Sequence, residues 1–332
     1  MSTARGTITL LTLGGTIAMS GNPVAGVVPR LTGAELTAAV PALADHPLDV
    51  RDAHAVPSAN LTFAQLFAVA EEASQAVQAG AAGVVITQGT DTLEETSYLL
   101  DLIWPHPEPL VLTGAMRNPT LAGADGPANL LAAVRVAASP EARDLGALLV
   151  FNDEIHAPRW ARKTHSTSTA TFASPNTGPL GHIIEGTPRL LTRPPRLPAL
   201  PSAAEASAMA RVALHTVTLD DDAAHLPHLR HLPETHQGLV LAAYGVGHVP
   251  AALAPVLGEL TTHIPVILTS RTGAGSTLAS TYASPGSESD LLNRGLTNAG
   301  LLDPYKSRIL LRLLLSTGAD RDRISEEFAL RG

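Results

Sequence analysis

The sequence predicts a two-domain α/β protein, with a larger N-terminal domain on a doubly wound, mostly parallel sheet and a smaller C-terminal α/β domain. Three observations carry that expectation. Short apolar, β-branched runs alternate with stretches of helical spacing through the first half of the chain. At 332 residues the chain is long for a single hydrophobic core. A proline-dense, aperiodic stretch, TPRLLTRPPRLPALPSAAEA from Thr187, separates that half from a second set of strands and helices.

Taken in order, TITLLTL (7–13), GVVIT (83–87), PLVLT (109–113) and GALLVF (146–151) are apolar on both faces, which suits buried parallel strands. FAQLFAVAEEASQAV, LEETSYLLDLIW and GPANLLAAVRVAA lie between them and repeat apolar residues at helical spacing. Strand, helix and strand in this alternation make βαβ units, whose ligands bind beyond the carboxyl ends of the strands. We place the N-terminal domain at 1–190, the linker at 191–210 and the C-terminal domain at 211–332. In the last of these VALHTV, GLVLAAY and PVILTS read as strands, and two helices close the chain.

Composition narrows the function. Hydrophobic residues make up 45% and charged ones 16%, which suits a packed globule rather than a disordered chain. A net charge of -8 gives no support to a nucleic-acid partner. With no cysteine, disulfide scaffolds, thiolate zinc sites and cysteine nucleophiles are excluded. The opening apolar run is short and passes straight into Gly14-Gly15-Thr16, so removal as a signal peptide would take that element away. We therefore expect a first strand in a cytoplasmic protein. No stretch is long and apolar enough to span a bilayer, and no membrane partner is expected.

The chemistry points to hydroxyls with one base and one acid. Gly14-Gly15-Thr16, Gln88-Gly89-Thr90-Asp91 and Gly114-Ala115-Met116 each follow one of the first three strands. A threonine hydroxyl is a weak nucleophile and needs a neighbour to take its proton. Only Lys163 and Lys306 are lysines among 22 basic residues, and a chain so biased to arginine keeps lysine where a compact, titratable amine is wanted. Lys163, in WARKTHSTSTATF, is the candidate base; Lys306 opens a C-terminal helix and reads as structural. Asp91 is suited to orienting Lys163, to binding a substrate ammonium group, or to capping the helix that begins at Thr92. Either threonine alone would be ordinary turn chemistry. The histidines of HLPHLRHLPETH (His225, His228, His231 and His236) sit among prolines without a carboxylate at ligand spacing, so we expect a solvated stretch and no metal site. TSRTGAGST around Arg271 lacks the Lys-Ser/Thr ending of a phosphate loop and reads as a turn.

LGGTIA (13–18) and TQGTDTLEET (87–96) resemble the two threonine signatures of the bacterial-type L-asparaginase family. The resemblance continues through TGAMRNPTLAGADGPANL, KTHSTSTATFASPNTGPLGHI, TSRTGAG and GLLDPYKSRILLRLLL, in family order over nearly the whole chain. It implies that Thr16 forms the acyl-enzyme and that Thr90, Asp91 and Lys163 make the second catalytic group. It implies that Ser58 binds the substrate α-carboxylate beside Ala59, and that Asp91 receives the α-ammonium. Gly15, Gly89 and Ala115 would line the pocket through backbone, with amides near Thr90 and Ala115 as the oxyanion hole. Glu288 resembles a glutamate that a neighbouring subunit supplies to the site.

The implied reaction is hydrolysis of L-asparagine to L-aspartate and ammonia, with no metal or cofactor, by a homodimer or homotetramer with shared sites. The alternatives are a related amidase acting on L-glutamine or serving a tRNA-dependent amidotransferase, or a non-catalytic amino-acid-binding protein. Several positions depart from the family pattern. Gln88 replaces a histidine, and Ala59 replaces a glutamine. His248 and Pro250 stand where several members place asparagine. Residues 17–31 contain no tyrosine, Pro23 falling about where the lid tyrosine belongs, and residues 20–31 read as an aperiodic lid. Tyr282, six residues before Glu288, is the candidate to replace it from a neighbouring subunit.

Overall fold

In the first unit, Met1–Leu200, an eight-stranded sheet sets the geometry, and its central strands are the apolar runs expected to be buried. The computed structural model describes residues 6–22, 26–221 and 235–332. Strands β1 (Ile8–Thr12), β4 (Leu48–Asp52), β5 (Gly83–Thr87), β6 (Leu110–Thr113) and β7 (Ala147–Phe151) run parallel, with β2 (Met19–Asn22) and β3 (Gly26–Pro29) forming a separate hairpin. Beyond β7 the sheet turns antiparallel through β8 (Glu154–His156), and, after the two-residue ribbon of β9 (Arg162–Lys163) and β10 (Phe172–Ala173), through β11 (Gly181–Ile184) and β12 (Thr187–Leu190). The sheet order is β12-β11-β8-β7-β6-β5-β1-β4, mixed but mostly parallel.

Helices α1 (Gly33–Ala38), α2 (Phe63–Gln78), α3 (Leu93–Ile103) and α4 (Gly126–Ala137) connect the parallel strands. The start of α2 is set by Thr62 and Gln65, each bonding the other's backbone N–H as a capping box. The side chains of α4 close over one face of the sheet, where Leu130, Val134 and Val136 join Ile8, Leu10, Val85 and Val111 in a solvent-free core. Because β1, β5 and β6 are adjacent and parallel, the loops that follow them leave from the same edge.

Two expectations change here. Thr187–Leu190 lies inside the proline-dense text yet forms β12, because an edge strand tolerates Pro188 where an interior strand would lose a ladder hydrogen bond. The segment after the first threonine is an antiparallel hairpin rather than aperiodic chain, with Arg30 and Leu31 both donating to the carbonyl of Ala18 at its base. Pro23 lies outside the described residues. The chain that follows β12 bonds back onto the first unit: Arg196 donates to the carbonyl of Trp104 at 2.8 Å and Leu200 N–H to that of Leu102 at 2.6 Å.

The second unit, Pro201–Gly332, carries a four-stranded parallel sheet of β13 (Val212–Thr216), β14 (Gly238–Ala243), β15 (Val266–Ser270) and β16 (Thr297–Asn298). Its described helices are α5 (Leu253–Thr261), α6 (Glu288–Asn293), α7 (Pro304–Ser316) and α8 (Arg321–Arg331). Lys306 is fully buried in α7 and paired with Asp303 at 2.7 Å, the structural role expected of it. No helix among the described residues is long and apolar enough to cross a membrane.

Candidate active site

Backbone contact between glycines brings the loops after β1 and β5 together. Gly15 has φ +86° and ψ -173°, a region only glycine enters readily, and a Cβ there would lie 2.2 Å from the amide nitrogen of Gly89. Gly89 is confined in turn, since a Cβ on it would lie 2.8 Å from Ser58 Oγ. Thr16, Gly89 and Ser58 therefore occupy one neighbourhood although they are far apart along the chain. The hydroxyl of half-buried Thr16 makes no hydrogen bond to a described residue. Ser58 is buried at 3% exposure and Ala59 beside it is exposed.

Thr90 begins a single 3-10 turn, Thr90–Thr92, before α3. Its Oγ1 accepts a hydrogen bond from Lys163 Nζ at 2.9 Å and donates to Met116 Sδ at 3.3 Å. Lys163 Nζ also lies 2.8 Å from Asp91 Oδ1. The ribbon of β9 and β10 presents that lysine, Lys163 facing Phe172 in register, and its backbone N–H reaches Glu94 Oε2 at 3.3 Å. Asp91 does not cap α3, where Thr92 is the N-cap and makes no side-chain capping bond. The carboxylate instead turns to Lys163 and keeps 73% of its side-chain surface open. One hydroxyl, one amine and one open carboxylate thus meet within hydrogen-bond reach, an arrangement chemically able to move a proton, on the loop that touches the Thr16 turn.

Gln88 is fully buried behind this unit, donating from Nε2 to Thr92 Oγ1 at 3.1 Å, while Thr92 Oγ1 donates to the carbonyl of Ser58 at 3.1 Å. It braces the Thr90 turn against the Ser58 turn. Ala115 is buried and follows Gly114 out of β6. Met116 and Glu94 carry contacts that the sequence did not single out; both lie inside quoted motifs, but a thioether acceptor and a carboxylate holding a distant amide have no spacing signal.

Glu288 and Tyr282 belong to the second unit. Glu288 is completely buried: Oε1 accepts the N–H groups of Thr281 at 2.9 Å and Tyr282 at 2.6 Å, and Oε2 lies 3.1 Å from His248 Nε2. Burial acts to raise its pKa, but the backbone donors, Tyr282 foremost, and the His248 ring outweigh it and hold the group below the usual carboxylate range. Tyr282 is 48% exposed, with its ring edge-on to His248 at 5.0 Å between centroids. Of the histidine-rich stretch, His225, His228 and His231 lie outside the described residues. Among the described residues no group of three acidic or histidine side chains is placed to hold a metal.

Profiles described as "Asparaginase, N-terminal" and "Glutaminase/Asparaginase C-terminal domain" match residues 7–196 and 211–328. The chain belongs to the asparaginase family. A probable L-asparaginase of Deinococcus radiodurans is 34% identical over 97% of this chain and 96% of its own. An L-asparaginase of Bacillus licheniformis is 32% identical over 93% and 95%. The crystal structure of a probable cytoplasmic L-asparaginase from Campylobacter jejuni superposes with a TM-score of 0.87 at 31% identity, covering 98% of this chain and 99% of that one. A glutaminase-asparaginase of Pseudomonas aeruginosa is 30% identical over 97% and 89%.

Proposed function

We propose that this asparaginase hydrolyses L-asparagine to L-aspartate and ammonia through an ester on Thr16. The observation that carries the reading is the Lys163–Thr90 contact, with Asp91 on the same amine. Thr16 Oγ attacks the side-chain amide carbon as its proton is taken up by the Thr90–Lys163 pair. The C–N bond then breaks, and that proton leaves with the nitrogen as ammonia. In the second half the same pair takes a proton from water, whose oxygen attacks the ester, and the proton returns to Thr16 as aspartate is freed. The amides of Thr90 and Ala115 hold the oxygen that becomes negative in both halves. Ser58 takes the α-carboxylate, and the open face of Asp91 takes the α-ammonium. None of these steps needs a Lewis acid.

Purified protein without added metal should release ammonia from L-asparagine and much less from L-glutamine. Ala59 and Pro250 offer no side-chain donor where longer polar groups would steady a substrate one methylene longer, and one methylene is worth about 10-fold or more in such a site. Equal kcat/KM for the two amides would overturn that preference and favour the glutaminase reading, which the Pseudomonas aeruginosa relative keeps open. Binding without ammonia release from any amide would favour the non-catalytic reading. We further propose a cytoplasmic homodimer or homotetramer in which Tyr282, held by His248 and Glu288, borders a neighbouring subunit's Thr16; the likeness to a probable cytoplasmic L-asparaginase supports the compartment.

A further inference from the structure

Asp125 stands at the N-cap of α4, yet its side chain makes no capping bond there. Aspartate at that position normally accepts an amide of its own first turn. Here both carboxylate oxygens instead accept the N–H of Met116, at 3.1 and 3.0 Å, and Oδ1 also accepts that of Arg117 at 2.8 Å. Asn129, buried one turn along, donates from Nδ2 to Asp125 Oδ2 at 3.2 Å and to the carbonyl of Gly114 at 3.0 Å. Its Oδ1 accepts the N–H of Asn152 at 3.0 Å, which ties the group to the end of β7. The loop 114–117 is therefore held from the α4 side at its first carbonyl and its last two amides.

On its other side the same loop meets Thr90. A Cβ on Gly114 would lie 2.4 Å from the carbonyl oxygen of Gln88, so the two backbones have no slack between them. Met116 Sδ accepts the Thr90 hydroxyl at 3.3 Å. A thioether is a weak acceptor and cannot hold that geometry alone; its placement has to come from the backbone. Asp125 also accepts the amides of Met116 and Arg117, while the N–H of Ala115 makes no bond to a described residue. A helix start that gives up its own cap to order a neighbouring loop departs from what local stability favours, as expected of a group kept for a site.

Resting on the reaction proposed above, we propose that Asp125 and Asn129 are positioning residues: they fix the 114–117 loop so that the Met116 thioether meets the Thr90 hydroxyl and the Ala115 amide stays available to the developing oxyanion. They touch neither substrate nor reacting atoms, so their effect falls on kcat rather than on ground-state binding. Asp125→Ala should lower kcat for L-asparagine by on the order of 100-fold, the loss expected of a small misplacement of a catalytic unit. KM and the inhibition constant of L-aspartate should stay within about threefold, since ground-state contacts are retained. Asp125→Asn, which keeps one acceptor oxygen for the two amides, should recover part of the loss, and Asn129→Ser should show the same split. Asp320→Ala, which removes a working N-cap from α8 in the second unit, serves as the control: it should lower Tm and leave kcat at the parental value. Parental kcat in Asp125→Ala overturns the proposal, as does a parallel loss of kcat and L-aspartate binding, or an equal loss of kcat in Asp320→Ala at matched Tm. If Asp125→Ala does not fold, Asp125→Asn decides by the same criterion: a lowered kcat with unchanged L-aspartate inhibition supports the proposal, and parental kcat overturns it.

Discussion

Lys163 bonds to both Thr90 Oγ1 and Asp91 Oδ1, so its replacement tests acid-base chemistry apart from packing. Lys163→Met keeps the length and loses the amine; Lys163→Arg keeps charge but cannot give up its proton at working pH. Both should lose several orders of magnitude in kcat, as should Thr16→Ala and Thr90→Val, because members of one catalytic unit are not additive. Near-parental turnover in Lys163→Arg would remove the lysine from any proton transfer. A second residue, His156, gives the fold its own pH dependence. It is fully buried on β8, Nδ1 2.9 Å from Ser174 Oγ, with Glu154 Oε2 3.2 Å from Nε2 but not in hydrogen-bonding geometry. Burial, with His182 nearby, pushes its pKa down to about 4 from 6.5. The unfolded chain therefore binds the extra proton first as the pH falls. The stability this neutral ring contributes is full above pH 6.5 and is lost between 6.5 and about 4, by up to roughly 3 kcal/mol. Thermal melts of His156→Gln should show a flatter fall of Tm across that window than the parent; parallel curves would refute the assignment. Lysine scarcity made Lys163 visible in the sequence. His156 on β8 and Ser174, just past the separate β9–β10 ribbon, are 18 residues apart and meet only in the folded chain, so no local pattern announces them.

At the scale of elements, the site is a product of three parallel strand ends held at backbone contact. Gly15 is the tightest joint, and Gly15→Ala places a methyl 2.2 Å from the Gly89 nitrogen in a conformation that alanine avoids. Strain and overpacking together should cost at least about 2 kcal/mol, so a clear drop in Tm should accompany loss of turnover. A Gly15→Ala protein with parental Tm and kcat would show that the two turns are free to separate. The strands that build this edge were legible because each is a short apolar run buried on both faces, as in GVVIT and PLVLT. The antiparallel part was not. Strands β8, β11 and β12 are three or four residues long with charged or proline residues among them, and the hairpin of β2 and β3 carries glycines where periodicity would be read. Their pairing is set by neighbours across the sheet, and local sequence holds little of it. The sequence left Asp91 open between a cap and a partner for Lys163, because an aspartate before a helical run has the same local pattern whether it faces an amide or an amine.

At the scale of the whole molecule, the open question is how many chains make one working site. Tyrosine is the clue. Of the four, Tyr98 is buried in α3, and Tyr244 is tied to the carbonyl of Thr218 beneath the Arg271 guanidinium. Tyr305 lies at the start of α7, and Tyr282 presents an exposed ring backed by His248 and the buried carboxylate of Glu288. The buried carboxylate holds the main chain of Tyr282 through its N–H, and the edge-on His248 ring backs its exposed side chain. If the hydroxyl serves a neighbouring chain, Tyr282→Phe should lower turnover with little change in Tm. Complementation then separates sharing from packing. Thr16→Ala protomers lack the nucleophile but have a sound second unit, and Tyr282→Ala protomers have the reverse. When equal amounts are unfolded and refolded together as dimers, half of the assemblies are hybrids, and in each hybrid one of the two sites receives a sound part from both chains. About a quarter of parental activity should return, from two preparations that are each nearly inactive. No recovery from hybrids verified by mass, or full activity of Tyr282→Ala alone, would mean that each chain completes its own site and that the exposed ring serves packing.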